Sequence, residues 1–105
     1  MAMPDFMKIL QQAQEVKAKM EQLQEELKQR TVTGSAGGGM VTVDADGKGD
    51  IRRVKIDPSI VKPEDVEMLE DLIVVAVSEA QKKAADVAKE EMNKLAGPLP
   101  FKLPF

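Results

Sequence analysis

The chain has 105 residues, 43% hydrophobic and 31% charged, with a net charge of −3, a size for one domain at most and marginal on its own. It contains neither cysteine nor histidine, which removes disulfides, thiolate chemistry, Cys/His zinc sites, imidazole acid–base catalysis and Ser–His triads. Trp and Tyr are absent and Phe occurs three times, so the aromatic platforms on which single-strand binders stack a row of bases are missing.

Residues 4–30 predict one long helix. Pro4 suits the first helical position and Asp5 the positive end of the macrodipole. No apolar run of signal-peptide length occurs here, and no export signal is expected. Ala2, Phe6, Ile9, Ala13, Val16, Met20, Leu23 and Leu27 are spaced 4-3-4-3-4-3-4, the 3.5 repeat of a helix packed along another helix. At ~1.5 Å per residue the helix is about 40 Å long. A seven-residue strand reaches only roughly 23 Å, so the helix must overhang any small sheet, and the overhang needs another partner.

From Thr31 the pattern becomes β-branched with partial alternation. "RTVTGSA" and "MVTVDA" predict two strands separated by glycines. Asp46-Gly47 is a hairpin signal, and "DIRRVKID" predicts a third strand with Val54 and Ile56 on one face. Ile51 falls out of that phase, which predicts a bulge or a frayed start. Asp57-Pro58-Ser59 closes the strand region, giving a three-stranded antiparallel meander.

A second helix is predicted from Pro63 to about Leu95, stopped by Gly97-Pro98. Leu69, Leu72, Ile73, Ala76, Ala80, Ala84 and Val87 form its apolar stripe. The run Leu72 to Val77 is apolar around the whole circumference, which requires burial on more than one side. It is also far too short to span a membrane. The fold class expected is α+β, in the order α-β-β-β-α, with one sheet flanked by two long helices. Because one copy leaves the overhanging seam and the apolar turn poorly covered, an obligate homodimer is expected. Residues 1–97 form the single domain, and residues 98–105 a proline-rich tail expected to be extended.

The glycines of "GSAGGGMVTV" raise the question of a phosphate loop. Such a loop runs from a strand into a helix N-terminus, whereas here it joins two strands, with Met40-Val41 where a lysine would be needed. The pattern instead predicts a turn with positive φ, or glycines that let another backbone approach. The pairs Glu25-Glu26 and Glu90-Glu91 sit among lysines and read as solvated faces. No nucleophile, base or metal set is present, so no enzyme, cofactor or small-molecule substrate is expected.

The bases are more informative than the net charge. Residues 64–95 hold nine acids and four lysines, with five of the acids between Glu64 and Asp71. Lys82, Lys83, Lys89 and Lys94 fall in the later part. On the first helix Lys8, Lys19 and Arg30 lie within about 40° of one another at ~100° per residue, with Lys17 and Lys28 on the other flank of the seam. If the helices pair antiparallel, Lys8, Lys17 and Lys19 join Lys82, Lys83, Lys89 and Lys94 on one projecting arm. Such a face is either solvated surface or a surface for phosphate backbone, where lysine point charges suffice.

"QAQEVKAKMEQLQEEL", "GSAGGGMVTV", "GKGDIRRVKIDPSIV" and "EMLEDLIVVAVSEAQKKA" together resemble the YbaB/EbfC family of bacterial nucleoid-associated proteins, from about Met7 to Gly97. The resemblance implies a small cytoplasmic, nucleoid-located homodimer whose helical arms project like tweezers and bind double-stranded DNA, influencing nucleoid organisation and gene expression. Lys8, Lys17, Lys19, Lys82, Lys83, Lys89 and Lys94, chosen from charge geometry, are the expected phosphate contacts. No membrane contact is expected. The acidic balance predicts modest, steeply salt-dependent affinity. The alternative is a protein-interaction module that recruits a protein partner through the seam or the tail "PLPFKLPF".

Overall fold

A computed structural model describes residues 3–96, which follow the order α1 (Met3–Gln29), β1 (Thr31–Ala36), β2 (Val41–Asp46), β3 (Ile51–Ile56) and α2 (Val66–Ala96). This is the α+β, α-β-β-β-α architecture expected from the sequence. The proline-rich tail lies outside the described residues. The strands form one antiparallel sheet in the order β1-β2-β3. Pro63–Asp65, predicted to open the second helix, forms a separate 3₁₀ turn leading into it. Proline at the start of that turn satisfies the chain's entry without a donor.

The glycine-rich segment does two jobs. Gly34 lies within β1, and a Cβ there would fall on the carbonyl oxygen of Ala76 and the backbone nitrogen of Ala80. The strand and α2 therefore meet backbone to backbone, which only a glycine facing small residues allows. Ala76 and Ala80 are fully buried there, with Val41, Val43 and Ala45 of β2 beneath the same helix. Gly37, Gly38 and Gly39 have φ of 62°, 66° and 95° and make the reversal into β2, a conformation that costs a side-chain-bearing residue about 1 kcal/mol or more.

The bulge expected at Ile51 is present. Asp44 pairs with Arg53, but Ala45 pairs with Ile51, so Arg52 is the extra residue of β3. It returns Ile51 to the face of Val54 and frees the Arg52 side chain to turn towards the end of β2. Residues 51–55 of β3 stay exposed, because α2 covers β1 and β2 and leaves the third strand open.

Both outer elements show how the sheet meets solvent. At the free edge of β1, Ser35 N–H donates to Glu79 Oε1 at 3.4 Å and Lys83 Nζ donates to the Thr33 carbonyl at 2.8 Å. Glu79 and Lys83 pair with each other at 3.2 Å. Two α2 side chains thus occupy backbone groups that would otherwise template another strand. β3 has no such cover among the described residues.

Candidate nucleic-acid interface

The heptad seam of α1 divides in two. Leu23 and Leu27 are 5% and 3% exposed, whereas Phe6, Ile9 and Val16 are 55%, 61% and 57% exposed. The change comes at Met20, which is half-buried. Lys19, Gln22, Leu23 and Glu26 of α1 share a groove with Glu91, Lys94 and Leu95 of α2, so the two helices run antiparallel and the described part of α2 ends level with Lys19. Residues 5–19 of α1 project beyond it, every one exposed. The molecule accordingly measures 75 × 24 × 17 Å. The overhang predicted from helix and strand lengths is present.

Lys8, Lys17 and Lys19 all sit on this projection, exposed and, among the described residues, in no ion pair. Lys94 lies across the groove from Lys19 and contacts Glu91 at 3.5 Å. Lys89 is exposed on α2, one turn earlier. The structure does not bring Lys83 out to the arm: its ammonium holds the edge of β1, and Lys82, the preceding residue of α2, is exposed. The arm is narrower in composition than the antiparallel pairing alone suggested.

The root of the arm is bound by ionic and backbone contacts. Arg30 Nη1 reaches Glu91 Oε1 at 3.1 Å, joining the end of α1 to α2. The β2–β3 turn presses on the last turn of α1, where Gly47 N–H donates to the Leu27 carbonyl at 2.8 Å. Asp46, only 2% exposed, organises that turn. Its Oδ1 accepts from Lys48 N–H at 2.9 Å and Asp50 N–H at 3.1 Å, and its Oδ2 accepts from Arg52 Nε at 3.1 Å and from Arg52 Nη2. Burial pushes the Asp46 carboxyl up, but the Asp50 and Lys48 N–H groups and the Arg52 guanidinium outweigh it and hold the group below its ordinary value. Asp57 is held low as well, because Ser59 donates to it where the chain leaves β3.

Sequence reasoning missed two features. Asp46 reads as half of a hairpin signal, and nothing in an Asp-Gly pair announces that its carboxylate will be buried. Arg53 and Lys55, which alternate onto the face of the sheet away from α2, are exposed bases on the body rather than the arm. The signal that could have found them is the count of five bases between Thr31 and Pro63. Among the described residues no three His, Cys, Asp or Glu side chains gather where they could hold a metal, and no helix is long and apolar enough to cross a membrane.

Residues 3–99 match the model of the YbaB/EbfC DNA-binding family. A "nucleoid-associated protein" of Gemmatimonas aurantiaca is 55% identical over 96% of this chain and 99% of its own length. A protein of the same description from Acetivibrio thermocellus is 50% identical over 87% of this chain and 80% of its own length. Among solved structures, the crystal structure of the uncharacterized protein HP0035 from Helicobacter pylori superimposes with a TM-score of 0.62 at 29% identity, covering 83% of this chain and 96% of that one.

Proposed function

The chain belongs to the YbaB/EbfC DNA-binding family, and from that premise we propose that it is a non-enzymatic, nucleoid-associated protein that grips the phosphate backbone of double-stranded DNA through lysines of its projecting arm. The observation that carries this reading is the overhang of α1, with Lys8, Lys17 and Lys19 exposed along it. Lys94 faces the same groove from α2, Lys89 is exposed on another face of that helix, and Lys82 and Lys83 belong to its stretch over the sheet. A lysine recognises phosphate as a point charge and carries no base code, so the binding is electrostatic, tolerant of sequence and steep in salt. Such binding suits a role in nucleoid organisation within the cytoplasm, with effects on gene expression following from it.

The unit that binds is a homodimer. Val74 and Val75 of α2 are 63% and 53% exposed in one copy, and Ile51 and Val54 stand on the open third strand. At about 25 cal/mol per Å² of apolar surface buried, a second copy covering any of these residues offsets the cost of leaving them in water.

A duplex titrated against rising salt tests the reading. We expect binding at low salt whose log K falls linearly with log salt. Replacing Lys8, Lys17 and Lys19 by Gln should lower the slope by about 0.9 for each phosphate that the arm no longer neutralises. Failure to bind duplex at low salt, or binding indifferent to salt, would overturn it. Sedimentation of the parent and of Val74→Glu tests the dimer, the parent sedimenting as two chains and the variant as one.

The bare seam supports a second reading, recruitment of a protein helix to Phe6, Ile9 and Val16. Replacing those three by Ser separates the two. If the seam serves a protein, the variant fails to capture that partner while its duplex binding stays.

A further inference from the structure

One of the contacts that join the arm to the body is a close backbone approach, and Gly47 makes it possible. Its N–H donates to the Leu27 carbonyl at the end of α1, which also accepts from Arg30 N–H at 3.2 Å. A Cβ at position 47 would stand 2.7 Å from that oxygen and 3.0 Å from Leu27 Cδ2. Gly47 is not among the residues of positive φ, whereas Gly49, in the same turn, has φ of 94° and open space around it. One glycine is therefore needed for a close approach and the other for backbone conformation.

Everything around Gly47 resists movement. The Asp46 carboxylate ties together the N–H groups of Lys48 and Asp50 and the guanidinium of Arg52. Asp46 N–H donates to the Asp50 carbonyl at 2.9 Å, and Gly49 N–H donates to the Asp46 carbonyl at 3.0 Å. Gln81 of α2 donates to the Gly49 carbonyl at 3.2 Å. The turn is thus fastened to β2, β3 and α2, and presents a rigid surface to the end of α1.

We propose that the β2–β3 turn is the seat that fixes the angle of the α1 arm, with Gly47 and Asp46 as positioning residues for DNA binding that touch no DNA. The inference rests on the arm lysines contacting phosphate. From Leu27 to Lys8 the helix is a lever of about 28 Å. A tilt of about 10° at the seat moves the outer lysine by roughly 5 Å, enough to take it away from a phosphate oxygen, since a charge-assisted hydrogen bond closes at about 2.7–2.9 Å.

Gly47→Ala and Gly49→Ala, compared in the full chain, test it. Because the protein has no native cysteine, cysteines placed at Gln14 and Lys55 carry a pair of spin labels across arm and body, and excess unlabelled protein keeps the measured distance within one chain. Gly47→Ala should shift or broaden that distance distribution, weaken duplex binding about tenfold and flatten its salt slope. Gly49→Ala should lower the thermal midpoint yet leave the distribution as in the parent. An unchanged distribution in Gly47→Ala overturns the inference, and an equal shift in Gly49→Ala does so by assigning the effect to turn strain. If Gly47→Ala does not fold, Asp46→Asn replaces it, with a broadened distribution expected and an unchanged one overturning the seat. A parent that binds no duplex would refute the arm reading, while the distances still decide whether the turn sets the arm.

Discussion

The two halves of α1 share one heptad repeat and meet opposite surroundings. Leu23 and Leu27 pack where α2 and the β2–β3 turn close over them, while Phe6, Ile9 and Val16 carry the same register into solvent. The difference lies in reach. α2 begins beyond the far end of the sheet and spends its first turns covering β1 and β2, so only its last turns remain to line α1. A heptad states that a face is built to be packed. It does not state that the same chain supplies the packing. The inner half is structural, and the outer half is free to carry lysines away from the body.

The strongest way to break that division is to separate α2 from the sheet. Gly34→Val would place a branched side chain on the backbone of Ala76 and Ala80. Neither atom is a side-chain end that can turn aside, so we expect a loss of about 4 kcal/mol or more, read by chemical denaturation, or no folded protein. Next in size is the contrast along the seam itself. Leu27→Ala should cost about 2–5 kcal/mol, the range for emptying a buried leucine site. Ile9→Ala should cost less than about 0.5 kcal/mol, as at exposed sites. Comparable losses at the two positions would show that a second chain covers the outer half in solution, and would extend the proposed dimer contact from the body to the arm.

What could be read from residues alone was whatever local chemistry fixes. The order of elements followed from the change in period at Thr31, the bulge from the phase of Ile51, and the overhang from helix rise against strand rise. The glycine segment was legible as turn or close approach, and it proved to be both: Gly34 for approach, Gly37 to Gly39 for the turn. The position of Lys83 was not legible, because a helical wheel gives an angle and not the neighbour waiting at that angle. Here the neighbour is the open edge of β1, which takes the ammonium. Asp46 was opaque for a similar reason. Its burial depends on Leu27 and Gly47 meeting across 20 positions of chain, and no period links them.

Asp46 also allows the smallest of the expected effects, a pH dependence located at the arm's root. Its folded-state pKa lies below that of the unfolded chain, despite burial, because Asp50, Lys48 and Arg52 donate to the ionised form. The folded state therefore binds this proton less readily than the unfolded state. The stabilisation is fully present above the ordinary aspartate pKa of about 3.9. It fades as pH falls through the lower folded value. Asp46→Asn has no such proton to take up. At neutral pH the variant should melt below the parent, and the gap between their midpoints should narrow as pH falls below about 3.9. Asp57, held low by Ser59, titrates alike in both proteins and cancels from the difference. A gap constant down to pH 2 would mean that the loss comes from the acceptor oxygen that Asn lacks and not from the charge. A gap that closes would show that the charge itself holds the turn against α1.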